Sequence, residues 1–351
     1  MTLQTILIGW FHAKNPPSGI EEATLNQLKS SGKGEDSEGP FIPITDDESE
    51  TTNFLSDADR LFLSDFINET YLKKDAIDEI QKRFEEDSSV QLRHFIKSDL
   101  AIRISKACVA IDSKDKLGRG NPSLDYKIGI ANGWEAVGPA HKQRFLEYTG
   151  TESANREDAG ALLKYVQTHV LQSAAFGRFL ALLSSLGMPR GYRGKVRRFR
   201  PGLDYTVAHY GILTTKSVLD LTLCFVAGNG SQPTYDEDTG DLIGSDDDAI
   251  WASGDAGGFE CYIAADEEAD EEADDEYDDE DDTELLSVTA CYNTLSLVYR
   301  NPGTMRFVKY CGSGAPSSRW DLSLEYEVDD DEDEAEDQDG ENFNEVIEKG
   351  S

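Results

Sequence analysis

Histidine is scarce in this chain of 351 residues, which contains only five. A non-haem iron site requires two histidines and one carboxylate on one face, commonly with an H-x-D or H-x-E pair on a single strand. No histidine here is followed two positions later by an acidic residue, and only His209 lies in the strand-like C-terminal half. Zinc is equally unsupported, since neither a CxxC pair nor an HExxH motif occurs. The sequence therefore predicts no metal ligands and assigns His209 to packing or to a partner contact.

Motifs for covalent or phosphate chemistry are also missing from the sequence. The chain contains no GxSxG nucleophile motif, no Walker loop and no GxGxxG after a strand. The glycine-rich stretch Gly254 to Gly258 is typical of a flexible turn between strands rather than of a phosphate-binding loop. We therefore predict no catalytic residues.

One segment is strongly basic, with six positive residues among the eleven from Arg190 to Arg200. Two interpretations stand side by side: an internal counter-charge to the acidic parts of the chain, or a docking face for an acidic partner segment. The candidate partner-binding residues are Arg190, Arg193, Lys195, Arg197, Arg198 and Arg200.

The formal charge of −36 is concentrated in two acidic tracts. Residues 266–284 contain 15 acids and residues 325–348 contain 14, which leaves 40 acids against 33 bases elsewhere. Such tracts are expected to be solvated and disordered, although contact with basic protein tails or ribosomal proteins remains an alternative. Because the net field repels phosphates, we expect no direct DNA binding.

The location of the protein is predicted from its cysteines and from its apolar runs. No apolar run approaches the roughly 18 residues that a membrane span needs, and the N-terminus lacks a signal-peptide pattern. The five cysteines are odd in number and mostly lie in apolar, strand-like runs, which is typical of reduced, buried thiols. The expected location is the nucleus and cytoplasm, with no membrane partner.

The elements that must position these residues fall into a helical half, residues 53–189, and a β-rich half, residues 190–328. Apolar spacing and caps predict helices at 56–66, 75–84, 88–111, 139–148 and 155–186, with one strand at 124–130. Period-two alternation predicts eight strands, at 196–199, 205–210, 218–227, 258–264, 285–292, 295–300, 305–311 and 320–328. Helices followed by short strands predict an α+β fold with a sandwich or jelly roll.

Several segments resemble one known family. They are GWEAVGPAHKQRFL from Gly133, RRFRPGLDYTVA from Arg197, GGFECYIAAD from Gly257, and NPGTMRFVKY from Asn301 followed by APSSRWD. LSDADRLFLSDFINETYL, from Leu55, is similar to the start of the same domain. Together they resemble the C-terminal half of the prolyl 3,4-dihydroxylases of fungi and animals, the oxoglutarate/iron-dependent oxygenase C-terminal degradation domain, over residues 53–328.

The resemblance implies an architecture in two parts. Members of this family carry two double-stranded β-helix domains, of which the first binds Fe(II) and 2-oxoglutarate, with ascorbate as a further cofactor, and the second is degenerate. Residues 1–13 resemble the last strand of the catalytic domain, and residues 14–52 are expected to be a linker. Residues 53–328 would then be a cupin-like β-helix with a helical N-terminal layer and an acidic insert at 266–284, followed by an acidic tail at 329–351. Cofactors are expected only for a catalytic domain, not for this chain.

The same resemblance points to three positions of the degenerate site. Phe259 or Glu260 stands where a ligand histidine would be, and Arg306 follows the Pro302–Gly303 turn where the distal histidine is expected. Arg319 lies where an arginine could bind 2-oxoglutarate. A cation at Arg306 would repel Fe(II), so these three are interpreted as relics without cofactor.

The resemblance implies a non-catalytic module that binds other proteins in the prolyl dihydroxylase system. Expected partners are a ribosomal protein, a transcription factor or the degradation machinery, in oxygen-linked protein turnover or translation termination. Two alternatives remain: a fragment of an active Fe(II)/2-oxoglutarate dioxygenase, and an acidic chaperone-like module for basic clients.

Overall fold

The computed structural model of the protein describes most of the chain between residues 39 and 328. The described residues are 39–45, 54–119, 121, 125–153, 157–209, 212, 216–230, 234–235, 242–243, 246–264 and 284–328. The expected remnant strand 1–13, most of the linker 14–52, nearly all of the acidic insert and the tail 329–351 lie outside them.

Helices dominate the first half of the described chain. The α-helices are α1 (Asp57–Ser64), α2 (Lys74–Asp87), α3 (Ser98–Asp115), α4 (Ala159–Val166), α5 (Ala174–Ser184) and α6 (Asp247–Ala252). A 3₁₀ turn covers Glu69–Leu72, and a π-helical turn, Gln167–Leu171, separates α4 from α5. Within the described residues, no helix is both long and apolar enough to cross a bilayer.

A capping box fixes the start of α1. The Ser56 side chain accepts a hydrogen bond from the Asp59 N–H, and the Asp59 carboxylate accepts one from the Ser56 N–H. The same carboxylate accepts two hydrogen bonds from the Arg178 guanidinium of α5, at 2.6 and 3.0 Å. The cap therefore also joins α1 to α5.

The strands form one large and one small antiparallel sheet and a short hairpin. The strands are β1 (Ile42–Pro43), β2 (Ser89–Arg93), β3 (Trp134–Val137), β4 (Gln143–Tyr148), β5 (Gly191–Phe199), β6 (Tyr205–Thr206), β7 (Val218–Phe225), β8 (Thr234–Tyr235), β9 (Leu242–Ile243), β10 (Glu260–Ala264), β11 (Glu284–Val288), β12 (Thr294–Arg300), β13 (Thr304–Val308) and β14 (Arg319–Glu327). The large sheet has the order β2-β12-β7-β14-β5-β4-β3, with β1 beside β5 and β6 beside β4. The small sheet has the order β11-β10-β13, and β8 pairs with β9.

The chain alternates between the two main sheets in the second half. It passes from β7 in the large sheet to β10 and β11 in the small one, returns to β12, crosses to β13 and ends in β14. Strands that are adjacent in sequence are therefore mostly not neighbours in the large sheet, as in a jelly roll. The predicted combination of helices with an antiparallel β half is confirmed, and a strand is present at each of the eight predicted places.

The main apolar core lies between the helices and one face of the large sheet. From the sheet it takes Leu221 and Leu223 of β7 and Leu322 and Leu324 of β14, all fully buried. From the helices it takes Leu162, Leu163, Phe176, Phe179 and Leu180, among others. The apolar residues of these alternating strands therefore face the helices, and their polar residues face the space between the two sheets.

One predicted helix is wrong, and another begins ten residues too early. Residues 89–93 form β2, which pairs with β12, so that the helix begins only at Ser98. The segment after Pro139 makes a single turn and then forms β4, which pairs with β3, β5 and β6. In both cases pairing with a distant strand outweighs a local apolar spacing that a helix would also satisfy.

Two further predicted elements differ from the structure. The predicted strand at 124–130 is a turn over residues 126–129, because buried Arg200 binds the carbonyl oxygens of Tyr126 and Ile128. The predicted long helix at 155–186 is interrupted by the π-helical turn and by the new N-cap at Ser173. Ser173 accepts a hydrogen bond from the Phe176 N–H and so restarts the helix.

Replacing Gly160 by alanine is expected to destabilise the fold by about 1–3 kcal/mol, although alanine is normally the better helix former. A Cβ atom at Gly160 in α4 would lie 2.2 Å from the ring of Tyr148 on β4. The free energy of unfolding, measured by denaturant titration, checks this. Gly314→Ala is the matched control, because a Cβ there meets nothing within 4 Å. A stabilised Gly160→Ala variant would show that α4 does not pack this closely on the sheet.

Candidate functional site

The interior between the two sheets is lined by charged residues. On β14 the residues that face away from the helices are Asp321, Ser323 and Glu325, and on β7 they include Asp220 and Thr222. Asp220 and Asp321 are at most 1% exposed. Burying an ionised carboxylate is costly unless a counter-charge and hydrogen bonds accompany it. Each of these acids must therefore have a cationic partner.

Five arginines supply that charge. We call the nine charged side chains the interior cluster: Arg193, Arg197, Arg300, Arg306 and Arg319 with Asp220, Glu260, Asp321 and Glu325. They come from β5, β7, β10, β12, β13 and β14, so the cluster joins the large sheet to the small one. Counted as ionised groups, five cations face four anions.

The pair between Arg306 and Glu260 is at the centre of the interior cluster. The Arg306 Nε donates to Glu260 Oε1 at 2.7 Å, and Glu260 is 1% exposed. Another nitrogen of Arg306 lies 3.1 Å from Asp220 Oδ1. The Thr222 hydroxyl donates to the second Glu260 oxygen at 2.9 Å. Arg306 therefore binds carboxylates from both sheets.

Arg319 and Arg197 share one carboxylate. The Asp321 side chain accepts from Arg319 Nε at 2.9 Å and from Arg197 Nε at 2.8 Å. Both guanidinium groups also approach Glu260, at 4.0 Å for Arg319 and 3.7 Å for Arg197. Arg319 further donates to the Gly258 carbonyl oxygen, which holds the chain at the start of β10.

The opposite side of the interior cluster is closed by Glu325. Its carboxylate accepts hydrogen bonds from Arg193 at 2.7 Å and from Arg300 at 2.5 Å. Arg300 also donates to Asp220 at 2.8 Å. Glu325 was counted in the solvated acidic tract, and that assignment is wrong, because strand alternation turns this residue inward.

These contacts shift the pKa values of the buried acids. Burial alone would raise the pKa of Glu260, but the charges of Arg306 and then Arg319 and Arg197 lower it to about 2. The pKa of Glu325 is lowered in the same way, chiefly by Arg300 and Arg193. For Asp220, burial outweighs the arginines and the pKa is raised. The interior cluster is therefore held mainly as fixed ion pairs.

The interior cluster does not fit Fe(II) with 2-oxoglutarate. A metal needs lone pairs on histidine or carboxylate that no other cation occupies, yet all four carboxylates already accept from guanidinium groups. Within the described residues, no group of three or more His, Cys, Asp or Glu is placed to hold a metal ion. A divalent cation would also enter a cluster with one excess positive charge.

The structure brings together the three positions that the resemblance singled out. Glu260, Arg306 and Arg319 all lie in the interior cluster, with Arg306 bonded directly to Glu260. Their interpretation as relics of a cofactor site stays a prediction. Arg319 makes two buried contacts, to Asp321 and to the Gly258 carbonyl oxygen, that hold β14 and the start of β10 together.

The predicted docking strip from Arg190 to Arg200 is wrong for four of its six residues. Arg193 and Arg197 point into the interior cluster, with 6% and 11% of their side chains exposed. Arg198 is fully buried on the helix side, where it binds Asp112 and Asp115 of α3 and lies over the Trp320 ring. Arg200 is fully buried against Asp204.

The remaining residues of the strip stay possible contacts. Arg190 is exposed and Lys195 half-buried, and a partner role for these two remains a prediction. The basic strip is mainly an internal counter-charge, but to buried acids of the folded part rather than to the acidic tracts. His209 is nearly buried, and burial together with the charges of Lys142 and His141 lowers its pKa to about 4, so it is neutral at pH 7.

Sequence reasoning missed Asp220, Arg300, Asp321 and Glu325 as members of the site. The sequence does contain a signal for two of them. Asp220 is the only charged residue in the apolar strand VLDLTLCF, and Arg300 ends the apolar strand TLSLVYR. A charge inside an apolar strand indicates a buried partner, but it does not identify that partner.

Comparisons with known proteins identify the family that this chain matches. Residues 58–334 match the family model described as oxoglutarate and iron-dependent oxygenase degradation C-term. A prolyl 3,4-dihydroxylase of Ostreococcus tauri is 31% identical over 334 residues, which is 93% of this chain and 60% of that protein. A prolyl 3-hydroxylase of Xenopus laevis is 24% identical over 322 residues, or 86% of this chain and 49% of that protein. The chain thus spans about half to three fifths of these relatives.

Two solved structures match this chain at low identity. A prolyl-4-hydroxylase of Pseudomonas putida aligns at 12% identity with a TM-score of 0.35, covering 72% of this chain and 98% of that one. A Trichoplax adhaerens prolyl hydroxylase, solved with a hypoxia inducible factor peptide fragment, aligns at 10% identity with a TM-score of 0.36, covering 71% and 88%.

Proposed function

Because the chain belongs to the family of oxoglutarate and iron-dependent oxygenase C-terminal degradation domains, we propose that it acts as a non-catalytic double-stranded β-helix module that binds other proteins. In this proposal the helical layer covers the large sheet, and the acidic insert and tail are solvated extensions. The module supports or regulates a prolyl dihydroxylase system, and this chain itself makes and breaks no bond.

One observation carries the non-catalytic part of the proposal: arginines and their paired carboxylates occupy the interior between the sheets. Arg306 donates to Glu260 and lies 3.1 Å from Asp220, so the positions at which the resemblance expects ligands are bound to each other. Oxygen chemistry of this class depends on a metal that binds the cosubstrate and activates O₂. Ion pairs that join two sheets instead support a rigid scaffold whose outer surface binds the partner proteins.

The partners we propose are proteins. By family resemblance they include a ribosomal protein, a transcription factor or the degradation machinery, encountered in the nucleus and cytoplasm without membrane attachment or direct DNA binding. Specificity would be set by charge complementarity on the outer surface. Arg190 and Lys195 are the members of the basic strip that remain candidates for such contacts.

Anaerobic titration with Fe(II) and 2-oxoglutarate tests the absence of a cofactor site. We expect no saturable heat in calorimetry and no charge-transfer band in visible absorption, because the acids are already paired with arginine. The positive control is the full-length Ostreococcus tauri relative, measured in the same cell. Saturable and mutually dependent binding of the two ligands would contradict the proposal and favour the second candidate, a fragment of an active dioxygenase.

A second experiment separates a folded binding surface from an acidic chaperone for basic clients. Binding of a purified basic ribosomal protein is measured for the native chain and for a variant in which the acids of both tracts, 266–284 and 329–351, are changed to Asn and Gln. The proposed module keeps its affinity within about threefold, because the contact lies on the folded part. A loss of binding greater than tenfold would support the chaperone alternative instead.

A further inference from the structure

Helix α3 carries an exposed face that no described element covers. Ile102, Lys106, Val109 and Ser113 recur at spacings of four, three and four residues, which places them on one stripe of the helix. Ile102 is 47% exposed and Val109 51% exposed. We call these four residues the α3 face. This apolar stripe is small, so a segment that covers it must add charge contacts to the apolar ones.

The α3 face continues into a shallow apolar depression on one side. Val109 borders this depression, and its other walls include Phe225, Val226 and Trp320 at the end of the large sheet. The indole nitrogen of Trp320 is buried and finds no hydrogen-bond partner within the described residues. These walls are themselves buried, so the exposed apolar area is mainly that of Ile102 and Val109.

The exposed surface of α3 is more basic than acidic, with Arg103, Lys106 and Lys114 against Asp99 at the N-terminal end of the stripe. Lys106 lies in the centre of the α3 face, and Lys114 and Arg103 lie along the other side of the exposed surface of the helix. No described carboxylate forms an ion pair with Lys106 or Lys114, in contrast to Lys82 and Lys97, which do have such partners. An apolar stripe with unpaired lysines fits an acidic segment that also carries apolar side chains.

A segment of this type lies in the C-terminal tail, which follows directly after β14. Residues 341–348, ENFNEVIE, which we call the tail motif, place Phe343, Val346 and Ile347 among three glutamates. The acidic insert is less suited, because residues 266–283 contain Tyr277 as their only large apolar side chain. The tail motif thus combines the two properties that the α3 face requires.

The tail is long enough to reach the α3 face. The C-terminal end of α3 contacts the start of β14, where the Ser318 N–H donates to Asp112. Val328 at the far end of β14 is therefore roughly 33 Å away along a strand at about 3.3 Å per residue. The stretch from Val328 to Glu341 spans at most about 43 Å when extended. The linker can therefore reach the near end of the α3 face only when it is well extended, since a flexible chain of 13 residues has an r.m.s. length of about 20 Å. The contacts of the tail motif itself must hold it there.

The geometry points to an intramolecular contact in which the tail motif docks on the α3 face. Phe343, Val346 and Ile347 cover Ile102 and Val109, and the glutamates beside them pair with Lys106 and Lys114. The tail then occupies this surface until an acidic, apolar segment of a partner displaces it. This inference goes beyond the proposed function and does not depend on it, because the contact exists in the isolated chain.

Zero-length carbodiimide cross-linking of the full chain tests the contact. The reagent joins a carboxylate to an amine only when the two touch, and mass spectrometry identifies the joined residues. At about 1 µM protein we expect monomeric products in which the tail motif is linked to Lys106 or Lys114. These links should be at least fivefold more abundant than links to Lys74, an exposed lysine at the start of α2.

Paired variants separate docking from unspecific attraction between charges. Val346→Ser with Ile347→Ser is expected to reduce the links to Lys106 at least fivefold, whereas Asn342→Ser with Asn344→Ser leaves them within twofold. On the helix side, Val109→Ser should have the same effect as the tail pair. The control there is Leu61→Ser, which alters a 71% exposed aliphatic residue of α1.

Three results would overturn the inference. One is a similar yield of links from the tail motif to Lys74 and to Lys106. Another is a yield to Lys106 that is unchanged in the Val346→Ser/Ile347→Ser variant. The third is a set of links found only in covalent dimers, which would assign the α3 face to a second copy of the chain. Because all substitutions are in the tail or at exposed positions, circular dichroism can verify that every variant folds.

Discussion

Replacing Arg306 by methionine is expected to lower the free energy of unfolding by about 3–5 kcal/mol, the range for breaking a buried ion pair on one side. Arg306 binds Glu260 at 2.7 Å and lies 3.1 Å from Asp220, and both acids are at most 1% exposed. Methionine keeps much of the side-chain length but leaves the two carboxylates short of a cation. Denaturant unfolding followed by tryptophan fluorescence measures the loss.

A surface pair provides the matched control for this variant. Arg83 and Glu79 on α2 form an ion pair of 2.6 Å, but both side chains are 65% exposed. Arg83→Met should therefore cost less than about 1 kcal/mol. A loss below about 1 kcal/mol for Arg306→Met as well would show that water reaches the interior cluster and screens it.

A double variant tests whether Arg306 and Glu260 act as a unit. When Glu260 is also methionine, no Glu260 carboxylate is present for the Arg306→Met substitution to leave without its partner. The double variant should therefore lose less stability than the sum of the two single losses, by about 1–3 kcal/mol. Additive losses would contradict a direct coupling between the two residues.

The second large effect is expected in acid, between about pH 5 and pH 2. The pKa of Glu260 is near 2 in the folded protein, below its ordinary value of 4.5. As the pH falls below that ordinary value, the unfolded chain therefore binds a proton before the folded chain does. The stability that this group contributes is fully present above about pH 5 and is lost as the pH approaches 2. The difference in pKa corresponds to about 3 kcal/mol.

Comparison with Glu260→Gln isolates this contribution from the other acids. At pH 7 the variant should be less stable than the native chain by roughly 3 kcal/mol, and the gap should close as the pH nears 2, where Glu260 is itself protonated. Asp220 acts in the opposite sense, since its pKa is raised. Equilibrium unfolding at several pH values measures the gap. The exposed residue Glu79 is the control site, and a gap that does not vary with pH would contradict the prediction.

The strands of the β half show which structural features can be predicted from the sequence. The alternation Trp320, Leu322, Leu324, Tyr326 correctly placed these residues on one face of β14, because the side-chain period of a strand is fixed by covalent geometry. The sequence could not reveal that the opposite face is also buried. A row of acidic residues on alternate positions of a strand is equally compatible with solvent and with a layer of arginines.

The helical half was less predictable for a related reason. The residues that form β4, QRFLEY, have a local pattern that suits a helix or a strand. Its partners β3 and β5 decide the outcome, and the pairing of Leu146 with Arg198 joins residues far apart in the sequence. The segment of β2 was misassigned for the same reason, because its partner β12 follows some 200 residues later.

The sequence by itself determined the combination of helices with an antiparallel β half, since that depends on residue types and local spacing, and its segments carried the family resemblance that the family model confirms. The expectation that this chain supplies no iron ligands stays a prediction. Only the tertiary structure decided the role of the charges. It placed Arg193 and Arg197 inside rather than on a docking surface, paired Glu325 with Arg193 and Arg300 and Asp321 with Arg197, and left the α3 face uncovered by any described element. The physical reason is that a buried side chain stays ionised only where the fold brings an opposite charge within a few ångströms of it. In this protein the opposite charge lies on another strand, and local sequence does not show which strands are neighbours.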